Sequence, residues 1–320
     1  MKKLVVSKGV PVWVTSICRF SSSILAPTRD DPAMRSSDFD LESVFGFMKN
    51  KIHPGMLIRI VDSIPNPSSA VAIFNWASEQ KKYKHTVETY AHAVLRLGLS
   101  GHWDEMQTLL VEMLKSESYP QHSLDKSVAS IITGFCTCPK ISKIDCAISV
   151  FKTACSMNPN HRPQISACNR LLSSLVAGPG NFDKVIFVYK EMVKRDLIPN
   201  VETINCLIKC LLETGRVKLA VRQFNNMANK GCIPNTQTLK VLLTGLFSSE
   251  EGRELLRLKI ASSGSVPNPE LFFHALSQSL CDDEMFDEMS LSIDHRTPNC
   301  SLISLVDGLF LTEKLNRSGI

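Results

Sequence analysis

The chain has 320 residues, 44% hydrophobic and 21% charged, enough apolar material for a sizeable core or an array of smaller units. No apolar run approaches the ~18 residues of a membrane span, so no transmembrane helix is expected. The net charge of +5 is concentrated at one end, because residues 1–29 hold Lys2, Lys3, Lys8, Arg19 and Arg29 and no acidic residue; the remainder is formally neutral, and no bulk positive field argues for nucleic acid.

In chain order, residues 1–29 come first. They are basic, free of acidic residues and contain the Ser-rich CRFSSS from Cys18 to Ser23. That composition is expected of an organellar transit peptide. The step Arg19-Phe20-Ser21 resembles a matrix-protease cleavage region and favours a mitochondrion over a chloroplast. Residues 41–86 are expected to form a degenerate helical pair. LESVFGFMKNKIHPGMLIRIVDSI supplies one helix and PSSAVAIFNWASEQKKYKH the other, with Pro67 placed for a helix start after Asn66.

From Val87 the chain repeats itself. The clearest unit is 201–235. Ile204, Leu207, Ile208, Leu211 and Leu212 follow i, i+3, i+4, i+7, i+8 spacing, one face of an amphipathic helix. Gly215 stands where a helix C-cap glycine belongs. Val217, Ala220, Val221, Phe224 and Met227 then mark a second helix over VKLAVRQFNNMANKG, ended by Gly231 and Pro234. The unit at 165–200 has the same landmarks: Leu171-Leu172, Tyr189, Met192 and LIPN against CIPN, with one extra residue in its Gly-Pro-Gly turn. The unit at 87–121 matches through Thr89-Tyr90, Gly101, Met113 and Pro120. Residues 122–164 keep SIITGF and CAISVFKTA in order, with about eight extra residues. Residues 236–268 are two residues shorter and again end in Pro-Asn, and 269–320 read as a degenerate C-terminal helical repeat or cap.

A lone pair of helices cannot bury its apolar faces, whereas stacked neighbours can. A period near 35 residues therefore predicts an all-α fold, a right-handed α-solenoid of stacked helix-turn-helix repeats.

The pattern V-E-T-I-N-x-L-I … G-R-V-x-x-A-x-x-x-F-x-x-M-x-x-K-G-x-x-P-N closely resembles the pentatricopeptide repeat, in the P-type form of plant organelles. The likeness covers about residues 66–268. The tetratricopeptide repeat, of similar period, wants a small residue where Ile208 and Leu172 stand. The resemblance implies binding of single-stranded organellar RNA, one nucleotide per repeat. The fifth and last residues of each repeat would read the base edge, and the second would wedge between bases. Here the last residues are Asn200, Asn235 and Asn268, with Gln121 and Gln164 in weaker units. The fifth residues are Asn169, Asn205, Lys240 and Ala91. A carboxamide carries both a donor and an acceptor. Asn205 with Asn235, and Asn169 with Asn200, thus resemble the family's pyrimidine-reading pair. Asn after a helix-ending Pro is also ordinary turn chemistry, but Asn205 lies inside a helix, where Asn is a poor former.

The chain departs from the family at the second position, usually aliphatic and here Glu88, Ser166, Glu202 and Gln237. Few repeats hold a complete reading pair. An interaction scaffold contacting ribosomal or RNA-processing proteins is therefore the alternative. No G-x-x-x-x-G-K-[ST], H-E-x-x-H or G-x-S-x-G motif occurs, so no enzyme and no cofactor is expected. The 11 cysteines form no C-x-x-C pair and read as apolar packing thiols rather than a metal site. The acidic run CDDEMFDEMS, from Cys281 to Ser290, reads as a solvated helical face.

Overall fold

The computed structural model describes residues 52–64, 66–137 and 142–262. The expected transit peptide, residues 41–51 of the first helical pair, Asn268, the acidic run and the segment 269–320 lie outside the described residues. Among the described residues there are twelve α-helices and no strand. None of these helices is long and apolar enough to cross a membrane.

The chain divides into two compact units, residues 1–167 and 168–320. The first unit contains α1 (Pro54–Ser63), α2 (Pro67–Ser78), α3 (Val87–Ser100), α4 (Trp103–Lys115), α5 (Gln121–Cys136) and α6 (Ser142–Met157). Successive helices pair as hairpins: α1 with α2, α3 with α4, and α5 with α6. The hairpins then stack. First helices lie against first helices, α1 on α3 and α3 on α5, and the second helix α4 packs on α6. The core is a continuous ladder of their apolar faces, including Leu57, Ile60, Val94, Leu110, Phe135 and Phe151, each no more than 2% exposed.

A further helix, α7 (Ile165–Val176), spans the boundary between the units. The second unit continues with α8 (Phe182–Lys194), α9 (Val201–Glu213), α10 (Val217–Asn225), α11 (Thr236–Phe247) and α12 (Glu250–Ser262). It follows the same scheme, with α9 paired to α10 and stacked on α11, and α11 paired to α12. Leu172, Val188, Ile204, Ile208, Phe224 and Leu243 form its core.

The repeat is punctuated by local chemistry. Asn66, Thr86, Asn200 and Asn235 are N-caps whose side chains accept a backbone N–H of the first turn. In three of them Thr stands three residues on and closes a reciprocal capping box: Thr86 with Thr89, Asn200 with Thr203, and Asn235 with Thr238. Hairpin turns and repeat ends share a left-handed residue followed by a bond reaching back five residues. Examples are Arg216 N–H to Leu211 C=O at 2.8 Å and Cys232 N–H to Met227 C=O at 3.0 Å.

Two expectations are adjusted. The first helix of the N-terminal pair, within its described part, starts at Pro54, with His53 as its cap. The second helix of 201–235 stops at Asn225 and resumes as a 3₁₀ turn, Ala228–Lys230. The break falls at the adjacent Asn225-Asn226, two residues of low helix propensity. Met227 is fully buried nonetheless.

Candidate functional site

The fifth-residue positions of the first helices come from the same turn of each: Ala91 on α3, Asp125 on α5, Asn169 on α7, Asn205 on α9 and Lys240 on α11. Asp125 enters this series because α5 begins at Gln121, with Pro120 as its cap residue, one residue earlier than the repeat spacing predicted. The capping bonds and buried faces of the helices fix this register. Leu124 on α5, Cys168 on α7 and Ile204 on α9 are the buried residues just ahead of each position.

These five positions are in different states. Ala91 offers no polar group. Asp125 is satisfied inside its own unit: one carboxylate oxygen lies 2.5 Å from His161 Nδ1, accepts from Gln121 Nε2 at 2.7 Å, and accepts from the Arg162 N–H at 3.3 Å. Asn158 Nδ2 donates to Gln121 Oε1 at 2.6 Å and extends the network. The 36-residue separation of Asp125 and His161 hid this pair from any spacing rule.

Asn169 is satisfied as well. It is only 3% exposed. Its Nδ2 donates to Asn200 Oδ1 at 2.9 Å and to Glu202 Oε2 at 2.9 Å, and its Oδ1 accepts from the Thr203 hydroxyl at 2.7 Å. The structure thus brings Asn169 and Asn200 together, as the repeat register implied, but with each other and with Glu202 as partners. Asn200 has a further task, since its Oδ1 also accepts the Thr203 N–H at 3.0 Å and caps α9.

Asn205 differs. Its Oδ1 is shut off from solvent and has no hydrogen-bond partner. On the neighbouring helix Asn235 caps α11, accepting the Thr238 N–H at 2.9 Å and the Thr238 hydroxyl at 3.0 Å. Gln237, in the place of Glu202, is exposed and makes no bond to Asn205. Lys240 is half-buried on α11.

The charge around these positions is mixed. Arg170 and Glu202 are exposed, and Lys209 pairs with Glu213 at 3.8 Å across one helical turn. That exposed pair contributes little to stability. The described cysteines are free thiols, most of them buried. Burial pushes Cys210 up to about 11 and raises Cys206 too, so both are inert packing groups at neutral pH.

Comparison with known proteins places the repeat. A family model described as the PPR repeat family matches residues 199–248. A mitochondrial pentatricopeptide repeat-containing protein of Arabidopsis thaliana is 29% identical over 215 residues, covering 63% of this chain and 47% of that protein. A second mitochondrial one is 24% identical, covering 61% of this chain and 24% of that protein. A chloroplastic one is 28% identical, covering 52% of this chain and 33% of that protein. The chain spans less than half the length of each of these relatives. Among solved structures, a pentatricopeptide repeat protein from maize superposes with a TM-score of 0.48 at 18% identity, covering 74% of this chain and 36% of that one.

Proposed function

We propose that this chain, which carries pentatricopeptide repeats, binds single-stranded RNA in a plant organelle and acts by binding rather than by chemistry. Its bound transcript would be stabilised, presented for processing, or made available for translation. The observation that carries the reading is Asn205. A buried carboxamide oxygen without a partner costs about 1–3 kcal/mol, and turning the half-buried Asn205 side chain outward to meet a base-edge donor would relieve that cost. Asn235, capping the adjacent α11, completes the amide pair that this family resemblance assigns to a pyrimidine, cytosine first. The basic, acid-free residues 1–29 and the mitochondrial names of the first two relatives support a mitochondrion as the compartment.

The second reading is a protein-binding scaffold. Glu88 and Glu202 are exposed at positions where bases would wedge, and Asn169 and Asp125 are committed within the fold. One experiment separates the two. Asn205→Ala is combined with Asn235→Ser, because Ser keeps the helix cap while removing the amide. RNA crosslinking of the full chain in organelles should then fall several-fold with no loss of folded protein. Unchanged crosslinking, together with partners that survive RNase during native purification, would favour the scaffold.

A further inference from the structure

We infer that Glu202 is an intramolecular latch that silences base reading by the 165–200 repeat, so that the 201–235 repeat reads alone. The inference rests on the RNA-binding reading above and concerns the regulation of that same face.

The argument begins with hydrogen-bond capacity. A carboxamide has two N–H donors and one oxygen acceptor. Asn169 uses both donors, on Asn200 Oδ1 and Glu202 Oε2, and its oxygen takes the Thr203 hydroxyl. Both donors are spent, so this buried amide cannot donate to a base without first giving up one of these bonds. Of its three partners, Thr203 is fully buried and Asn200 is held as the cap of α9. Asn200 and Glu202 are both exposed, but Glu202 caps no helix and its carboxylate makes no ion pair among the described residues. Its bond to Asn169 is therefore the one that an incoming group would have to break. That bond is charge-assisted and stronger than the neutral bond a base carbonyl would offer. The same carboxylate repels the phosphates that would accompany the base.

One repeat further on, the same register carries Gln237 instead of Glu202. No hydrogen bond joins Gln237 to Asn205, and the Asn205 oxygen is left without a partner. Adjacent repeats with the same two Asn residues thus differ in one acidic side chain and in whether the amide is held by bonds within the fold.

The test uses the full chain and a randomised pool of single-stranded RNA 14-mers. The wild-type chain should enrich one fixed nucleotide position. Glu202→Ala should enrich two adjacent positions and bind the two-position RNA about tenfold more tightly than wild type does, the scale of one added base contact. Glu202→Gln keeps an acceptor oxygen but drops the charge. This puts at position 202 the side chain that the next repeat carries at Gln237, so it should also open the second position, with a gain in affinity between wild type and Glu202→Ala. If Glu202→Ala matches wild type, or if Glu202→Gln keeps the single position at wild-type affinity, the latch is wrong while RNA binding stands. A wild-type chain that enriches no RNA removes the RNA reading itself, and the latch with it. A measurement without RNA checks the geometry directly: hydrogen exchange of the Asn169 side-chain amide should accelerate in Glu202→Ala, and an unchanged rate would overturn the latch.

Discussion

Asp196 occupies the left-handed region at φ 56°, where the next repeat places Gly231 at φ 71°. Leu197 N–H reaches back to Met192 C=O at 3.0 Å, the same closing bond that Cys232 makes. A side chain in this conformation costs roughly 1–2 kcal/mol, less for Asp than for most residues. Glycine regains that cost but gives up unfolded-state entropy. Asp196→Gly should therefore raise stability by about 0.5 kcal/mol, read as a higher midpoint in urea denaturation. His85 makes the opposite kind of statement. It stacks on Phe74 with ring centroids 3.7 Å apart, and Tyr83 and Tyr90 meet it edge-on. Burial pushes it down to about 4 against the partial opposition of a Phe74 backbone hydrogen bond and the Glu112 charge. The unfolded chain, with an ordinary imidazole near 6.5, then binds the proton more readily than the folded one. Stability from this group is complete above pH 6.5 and is lost as pH falls from 6.5 towards 4. The loss should be about 2 kcal/mol after allowance for residual solvent access. Thermal melts from pH 7 to 4 should show it, and His85→Phe, which keeps the stacking, should not.

Helix contacts depend on how closely backbones approach. Gly98 lies inside α3, where glycine lowers helix propensity by about 1 kcal/mol relative to alanine. Its place is explained by packing rather than propensity. A Cβ there would lie 2.4 Å from the Phe135 ring on α5 and 2.7 Å from the Met106 sulfur on α4. Its carbonyl accepts from Lys143 Nζ on α6 at 2.6 Å. Gly98 is thus the point at which both the hairpin partner and the stacked neighbours of α3 converge. Gly98→Ala should destabilise the first unit by about 1–3 kcal/mol despite its better propensity, because Phe135 and Met106 are almost fully buried and must shift. Calorimetric melting of the variant checks the sign, and a gain in stability would show that the ring relocates freely.

Over the chain as a whole, charge is partitioned between the first 29 residues and a neutral remainder. A transit segment gains from that imbalance, whereas an RNA surface built on long-range attraction would need the opposite arrangement. Under the proposed RNA-binding reading, recognition would then depend on few, well-placed contacts. Residues 1–40 fused to a fluorescent reporter should carry it to mitochondria in plant cells. Reporter left in the cytosol, or found in plastids, would correct the compartment.

The stacked-hairpin fold was legible because it rests on local periodicity. Apolar residues at helical spacing, turn glycines and Pro-Asn steps recur every ~35 residues, and no other arrangement buries those faces. Leu207, Ile208, Phe224 and Met227 were placed in the core by spacing alone, and all are buried. The sequence also named the Asn residues of the candidate site. Which of them is hydrogen-bonded within the fold was decided only by tertiary structure. Hydrogen bonds between residues far apart in the chain join Asn169 to Glu202, 33 positions on, and Asp125 to His161, 36 positions on. Such pairings depend on side-chain reach and on the register of helix starts to within one residue. A repeat pattern fixes neither, so two equal-looking amides end in different surroundings, one bonded within the fold and one with a buried oxygen that has no partner.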